Sequence, residues 1–267
     1  MKYVLITGSS GGMGLSTCKK FLSQGYFVFG LDINEPNIEL GDNFKFIKTN
    51  LRDESSIISA FNIVKDITNE LSSLIHMAGI YDLNSLVEMS EDDFTKIFDI
   101  NVFAVYRINK IFLPLIKQKG KIIITTSELG PLDPLPFTGI YGISKSTLEK
   151  YAYSLRMELQ LLDKYVVIIR PGAVDTGLLD VSTTKIEKFA KTTKLYTYNA
   201  TKFFDITNKV ESKKISPEKI ADIAYKIDNK RKPKYVYKIN RNKGLLILNF
   251  LPDRLQNYII KKILNNK

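Results

Sequence analysis

The chain has 267 residues, 44% hydrophobic and 25% charged, with 39 Lys and Arg against 28 Asp and Glu and a formal net charge of +11. That balance suits a folded globular chain and excludes disorder as its main state, while the single cysteine, Cys18, excludes an internal disulfide and a thiolate metal cluster and fits a reducing, cytoplasmic setting. The lysines are scattered, dense only at 230–234 and 261–267, and no nucleic-acid motif accompanies them, so they read as a solvated surface.

The N-terminal run Val4-Leu5-Ile6 is too short for the core of a signal peptide and reads as a first strand. Phe27 to Leu31, Leu74-Ile75, Ile122 to Ile124 and Val166 to Ile169 are further short apolar runs, the pattern of strands buried on both faces. Between them, Ser16 to Ser23, Glu54 to Glu70, Glu91 to Lys117 and Ser144 to Leu162 carry helical spacing. The alternation predicts an α/β fold, a doubly wound parallel sheet, and with no linker in sight one domain over 1–267.

Past Val174 the pattern weakens, and a Lys/Thr-rich stretch with Phe189, Tyr196, Tyr198, Phe203 and Phe204 makes about 173–215 the expected substrate-binding loop. Ser216-Pro217 reads as an N-cap and first helical residue, Tyr235 to Tyr237 as a last strand, and a terminal helix is expected from about Pro252. In the tail, 244–267, Leu251, Leu255, Tyr258, Ile259 and Ile263 form one stripe flanked by Arg254, Lys261, Lys262 and Lys267. Packing against the body or another subunit is the expected use of this basic amphipathic helix, and contact with an anionic membrane is the alternative.

The first strand runs into Thr7-Gly8-Ser9-Ser10-Gly11-Gly12-Met13-Gly14 and then a helix expected near Leu15. Glycines allow the tight turn and close approach of backbone N–H groups to a pyrophosphate, and the helix adds its positive end. Asp32, eighteen residues past Gly14 at the end of the second strand, completes a dinucleotide fingerprint. A carboxylate there binds the adenosine ribose hydroxyls and repels a 2′-phosphate, and no Arg or Lys follows in Ile33-Asn34-Glu35, so NAD is expected over NADP.

Tyr141 and Lys145 in Tyr-Gly-Ile-Ser-Lys stand one helical turn apart. A phenol holds its proton to about pH 10, and a neighbouring ammonium stabilises the phenolate that a base near neutrality requires.

The Gly-rich turn, Asp32, Ser127 at a strand end, Tyr141 with Lys145, and Arg170 to Thr176 together resemble the short-chain dehydrogenase family in order and spacing. The resemblance implies a Rossmann fold and hydride transfer with Tyr141 as general acid/base, Lys145 binding the nicotinamide ribose and lowering the tyrosine pKa, and Ser127 orienting the reacting oxygen. It implies that Asn101 supports a proton-relay water and that Thr176 holds the carboxamide. It also implies cofactor contacts at Gly8, Ser10, Gly12, Met13, Gly14, Asp32, Asn50, Leu51, Ala78, Gly79, Tyr141, Lys145, Pro171, Gly172, Val174 and Thr176. No metal is expected.

Two departures stand out: His76-Met77-Ala78-Gly79 replaces the family's Asn-Asn-Ala-Gly, and Asn50 replaces an acidic residue. His76, the only histidine, is expected at the strand end beside the cofactor, since a lone histidine makes a poor metal site. His-x-Ala is also reminiscent of the extended branch, which keeps a sugar-nucleotide epimerase or dehydratase open, and a non-catalytic NAD sensor is the rival from another class. The fourteen-residue step from Ser127 to Tyr141 favours the single-domain branch. Leu129 to Phe137 and Leu178 to Phe204 are rich in Leu, Pro and aromatics, so the expected substrate is an apolar secondary alcohol or ketone, steroid- or lipid-like, turned over by a homo-oligomer.

Overall fold

The computed structural model describes residues 1–176, 187–211 and 214–265. Seven parallel strands form one sheet in the order β3-β2-β1-β4-β5-β6-β7, with β1 Lys2–Thr7, β2 Tyr26–Asp32, β3 Phe44–Lys48, β4 Leu71–His76, β5 Ile116–Thr125, β6 Tyr165–Pro171 and β7 Val236–Ile239. The chain moves outward from β1 to β3, then returns so that β4 pairs with the other side of β1. This reversal is the topological switch point, where an open parallel sheet leaves a crevice beyond its strand ends.

Alternate residues of each central strand enter opposite cores, which is why the sequence shows apolar runs instead of a two-residue rhythm. Leu5, Phe29, Leu74, Ile122, Ile124 and Ile168 pack under α2 (Glu54–Ile67), α4 (Ala104–Phe112) and α5 (Gly139–Leu159). Val4, Ile6, Val28, Ile75, Ile123 and Ile169 pack under α1 (Gly12–Ser23) and α7 (Pro217–Asn229). A helix layer on each side of the sheet is the doubly wound Rossmann-like arrangement that the sequence predicts.

The differences from the sequence reading lie at element ends and edges. The helix expected over Glu91 to Lys117 is four pieces: α3 (Glu91–Phe98), a π-helical turn at Asp99–Phe103, α4, and a 3₁₀ turn at Leu113–Leu115. Lys117 already belongs to β5. The first helix begins at Gly12, before Leu15, and α5 begins at Gly139, which places Tyr141 inside its first turn. β3 went unread because Phe-Lys-Phe-Ile-Lys is an edge strand whose lysines face water. Ser216 holds the N-cap position before Pro217, although its side chain makes no capping bond to a backbone N–H.

Beyond the sheet, α6 (Thr197–Glu211) carries Ala200 and Phe203 into a third apolar cluster with Leu83, Phe137 and Phe189. α8 (Lys243–Asn249) and α9 (Asp253–Asn265) end the described chain. The expected substrate wall from Leu178 to Phe204 is described only from residue 187, and Lys267 of the basic tail also lies outside the described residues.

Candidate active site

The turn between β1 and α1 fits against the turn after β4 with no room to spare. Gly8 has φ +68°, and a Cβ there would lie 2.7 Å from the Ala78 backbone. A Cβ on Gly14 would lie 1.9 Å from the Gly8 carbonyl oxygen, and one on Gly12 2.6 Å from Cγ2 of Thr176. The N-cap residue of α1, Gly11, brings no side chain to the first-turn amides, so the helix presents N–H groups and its positive end to whatever enters the crevice. That geometry fits a dinucleotide pyrophosphate.

Asp32 closes β2, as expected. Its Oδ2 accepts a hydrogen bond from the Ser10 backbone N–H at 3.1 Å, and Oδ1 one from the Asn34 N–H at 3.2 Å. Two protein donors fix the carboxylate and leave it acceptor capacity for ribose hydroxyls.

Tyr141, Ser127 and Lys145 meet at the ends of β5 and α5, all buried. Ser127 hydrogen-bonds the Tyr141 phenol and pulls its pKa down, but burial outweighs this and pushes the phenol up to about 12. Tyr81 packs edge-on against the Tyr141 ring, with centroids 4.4 Å apart. Lys145 Nζ lies 5.7 Å from that ring centroid and donates to the Thr125 carbonyl at 3.3 Å. Burial pulls Lys145 down to about 8, opposed by the negative charge of Glu149 one turn further along α5. The triad as it stands holds a protonated phenol, ready to act as an acid, with a cation behind it.

The short chain dehydrogenase family model matches residues 2–187. The chain belongs to the short-chain dehydrogenase family. It is 26% identical over 97% of its length to 3-ketodihydrosphingosine reductase of Bacteroides thetaiotaomicron, covering 96% of that protein. It is 25% identical over 98% of its length to NADPH-dependent 3-dehydrocapnine reductase of Ornithobacterium rhinotracheale, covering 97% of it. A short chain dehydrogenase family protein from Francisella tularensis shares the fold at a TM-score of 0.76 and 23% identity, over 92% of this chain and 99% of that one. Family membership makes the protein an oxidoreductase with a nicotinamide cofactor.

Asn101 sits on the π-helical turn, fully buried. Its Oδ1 accepts from the Ile80 N–H at 2.8 Å, while Nδ2 donates to the Ile80 carbonyl at 3.0 Å and to Ser144 Oγ at 3.1 Å. The side chain thus clamps the segment after β4 to α5, and π turns recur where a helix must place a functional residue. A Cβ on Gly79 would lie 3.3 Å from Asn101 Oδ1 and 3.5 Å from Lys145 Nζ, so a side chain there would crowd the Asn101 amide.

His76 ends β4 but turns away from the catalytic cavity, which corrects its expected place beside the cofactor. Its Nε2 meets Asn109 Oδ1 at 2.8 Å, and Asn109 in turn donates to the Tyr151 hydroxyl at 3.0 Å. Burial holds the imidazole down at about 4, so it is a neutral core residue bonded to α4. Asn50 also points its side chain to local work, accepting from the Arg52 N–H at 3.1 Å, and Leu51 packs against the core below β2 and β3.

Met13, Ala78, Gly79, Ser127, Tyr141, Lys145, Pro171, Gly172, Val174 and Thr176 all border one cavity of about 200 Å³. The sequence reading missed Met77, Tyr81, Glu128, Thr138, Thr207 and Leu245 on its wall. Of the expected substrate segments, Leu129, Leu135 and Phe203 line it; Phe137 instead enters the third apolar cluster, at φ +66°. Glu128 had a legible signal, an acidic residue next to Ser127. Its carboxyl is pushed up by burial and accepts from the Asn242 N–H at 2.6 Å, tying the start of α8 to the catalytic wall.

Proposed function

We propose that the protein is an NAD(H)-dependent oxidoreductase that interconverts a secondary alcohol and a ketone on an apolar, lipid-like substrate, with Tyr141 as general acid/base. One observation carries the reading: a protonated Tyr141 phenol, bonded to Ser127 and backed by buried Lys145, borders a largely apolar cavity beside a turn shaped for pyrophosphate. NAD(H), when bound, supplies or accepts the hydride. Tyr141 then gives its proton to the ketone oxygen, Ser127 holds that oxygen, and the Lys145 ammonium stabilises the phenolate left behind. Oxidation of the alcohol runs the same steps backwards. In this reading Lys145, Thr176 and the backbone near Pro171 and Gly172 would hold the nicotinamide end, and Asp32 the adenosine ribose.

Asp32 supports NAD over NADP, because a fixed carboxylate at that strand end repels a 2′-phosphate. The Ornithobacterium relative is NADPH-dependent by name, so the preference in this chain rests on Asp32 alone.

For the substrate, a second cavity of about 560 Å³ lies on the other side of Leu135, which borders both, and is lined by Leu86, Val87, Pro136 and Leu264. An extended apolar chain attached to the reacting carbon would reach that second cavity by passing Leu135. The Bacteroides relative's name gives the same chemistry, a ketone on a sphingoid base. We also take the chain as one domain, with 173–215 as its substrate-binding element. Exposed Phe103, Tyr106, Tyr153 and Met157 on and beside α4 and α5 support a homo-oligomer.

The test is a panel of ketones, 3-ketodihydrosphingosine and shorter analogues beside small polar sugars, read at the nicotinamide absorbance with NADH and NADPH. Turnover of the long apolar ketones with NADH is the expected result. Activity confined to sugars overturns the substrate class, and a preference for NADPH overturns the role of Asp32.

A further inference from the structure

Helices α8 and α9 leave an apolar, positively charged face without a partner among the described residues. The stripe of the tail was expected to pack against the body or another subunit; Leu251 and Ile259 are partly buried, while Leu255, Tyr258 and Ile263 are not covered by the described body. The side of α9 that meets the body carries Gln256, Ile260 and Leu264, with Asn199 donating to the Leu264 carbonyl at 3.0 Å. Leu255, Tyr258 and Ile263 face solvent at 43%, 61% and 47% exposure, and the preceding helix adds Ile247 at 65% and Phe250 at 87%. Large apolar side chains this exposed, clustered in so short a stretch, mark an interaction surface.

We propose that α8 and α9 dock the enzyme on an anionic lipid bilayer. Residues 241–265 hold Arg241, Lys243, Arg254, Lys261 and Lys262 against the single acid Asp253, a net charge of +4. Apolar and aromatic side chains flanked by Lys and Arg match the boundary between acyl chains and negative headgroups, where long basic side chains reach outward while their stems stay apolar. Charge also argues against a second copy as occupant, since a two-fold contact through this face sets two surfaces of +4 against each other. No helix among the described residues is long and apolar enough to cross a membrane, so the contact is with the bilayer surface.

The docking face is joined to the catalytic wall. Leu245 of α8 lines the catalytic cavity, two residues before exposed Ile247, and the Asn242 N–H at the head of α8 is bonded to Glu128 beside Ser127. Lys261 and Ile260 of α9 border the second cavity, which opens on the same segment. A molecule leaving the bilayer along α8 or α9 reaches the cavities without crossing bulk water. The docking itself needs no turnover, so it stands or falls independently of the substrate proposed above.

The test uses the full chain and vesicles of phosphatidylcholine alone or mixed with phosphatidylglycerol. The wild type is expected to sediment with the mixed vesicles, at least about tenfold less with phosphatidylcholine alone, and less as salt is raised. Phe250→Asp/Tyr258→Asp and Lys261→Glu/Lys262→Glu are expected to stay in the supernatant with unchanged far-ultraviolet circular dichroism. Wild type in the supernatant with both vesicles overturns the proposal, and so do variants that sediment as wild type does. Analytical ultracentrifugation showing that Phe250→Asp/Tyr258→Asp dissociates an oligomer, with vesicle binding unaffected, assigns the face to self-association instead.

Discussion

Arg170 of β6 grips the Glu149 carboxylate of α5 through two guanidinium hydrogen bonds, one of them 2.6 Å from Nε to Oε1. Thr126, next to Ser127, donates to the same oxygen at 2.8 Å. The pair is 15% and 10% exposed, so removing one partner leaves a nearly buried charge uncompensated. Arg170→Leu is therefore expected to cost about 3–5 kcal/mol of stability, read from urea midpoints, while Arg170→Leu/Glu149→Leu recovers much of that loss. A single variant within about 1 kcal/mol of wild type would show that the ion pair is no structural brace behind the catalytic residues.

Tyr141→Phe removes the proton and keeps the ring that packs on Tyr81. General acid catalysis of this kind contributes about 10²–10⁴-fold, so kcat for ketone reduction is expected to fall by that factor while the dissociation constant for the cofactor barely moves. A variant retaining a tenth or more of wild-type kcat removes Tyr141 from the proton transfer.

The two titrations in the site separate in pH. Lys145, held at about 8, loses its charge well before the Tyr141 phenol, pushed up to about 12, loses its proton. Ketone reduction is then expected to be level below pH 8 and to decline above it, as the cation that stabilises the phenolate disappears. In Lys145→Arg, whose guanidinium stays charged, the lower rate that remains should show no decline near pH 8. A decline at the same pH in both proteins assigns it to another group.

The parts of this arrangement visible in the sequence are those that local chemistry dictates. Gly8, Gly12 and Gly14 announce a turn because no side chain fits there, and Tyr141 with Lys145 needs only the spacing of one helical turn. The apolar runs of β1, β2, β4, β5 and β6 follow from burial on both faces. The pairing of Glu128 with Asn242, the place of Leu245 and the π turn that lifts Asn101 were not legible, because each depends on which distant segment folds against it. Asn242 lies far along the chain from Glu128, and periodicity carries no information about such a meeting. His76 misled for a related reason: its position beside Ala78-Gly79 suggested the cofactor, while its direction is set by Asn109 on a helix above the sheet.

His76 gives a stability signature. Its pKa falls from 6.5 to about 4 on folding because the buried ring is kept neutral. The unfolded chain binds the proton more readily, so this contribution is complete above pH 6.5, fades as pH drops toward 4 and is exhausted below it. The shift corresponds to about 3 kcal/mol. His76→Gln has no titrating ring, so the stability difference between it and wild type should shrink or reverse across that window. Parallel stability curves between pH 7 and pH 4 would rule out a buried neutral imidazole.

The proposed preference for NAD(H) rests on Asp32, and the geometry of that residue suggests how to test and change it. The carboxylate is held by the Ser10 and Asn34 backbone amides at the end of β2, where the proposed cofactor reading puts the adenosine ribose. Asp32→Ser deletes a charge-assisted acceptor worth about 1.5–3 kcal/mol, so kcat/KM with NADH is expected to fall about ten- to a hundredfold. That change removes the repulsion toward a 2′-phosphate but adds no cation to bind it. Asp32→Ser/Ile33→Arg supplies the cation on a residue already 56% exposed, and the double variant is expected to prefer NADPH. Steady-state rates with both cofactors check the series. An unchanged NADH to NADPH ratio in Asp32→Ser means that the discrimination is made elsewhere in the crevice.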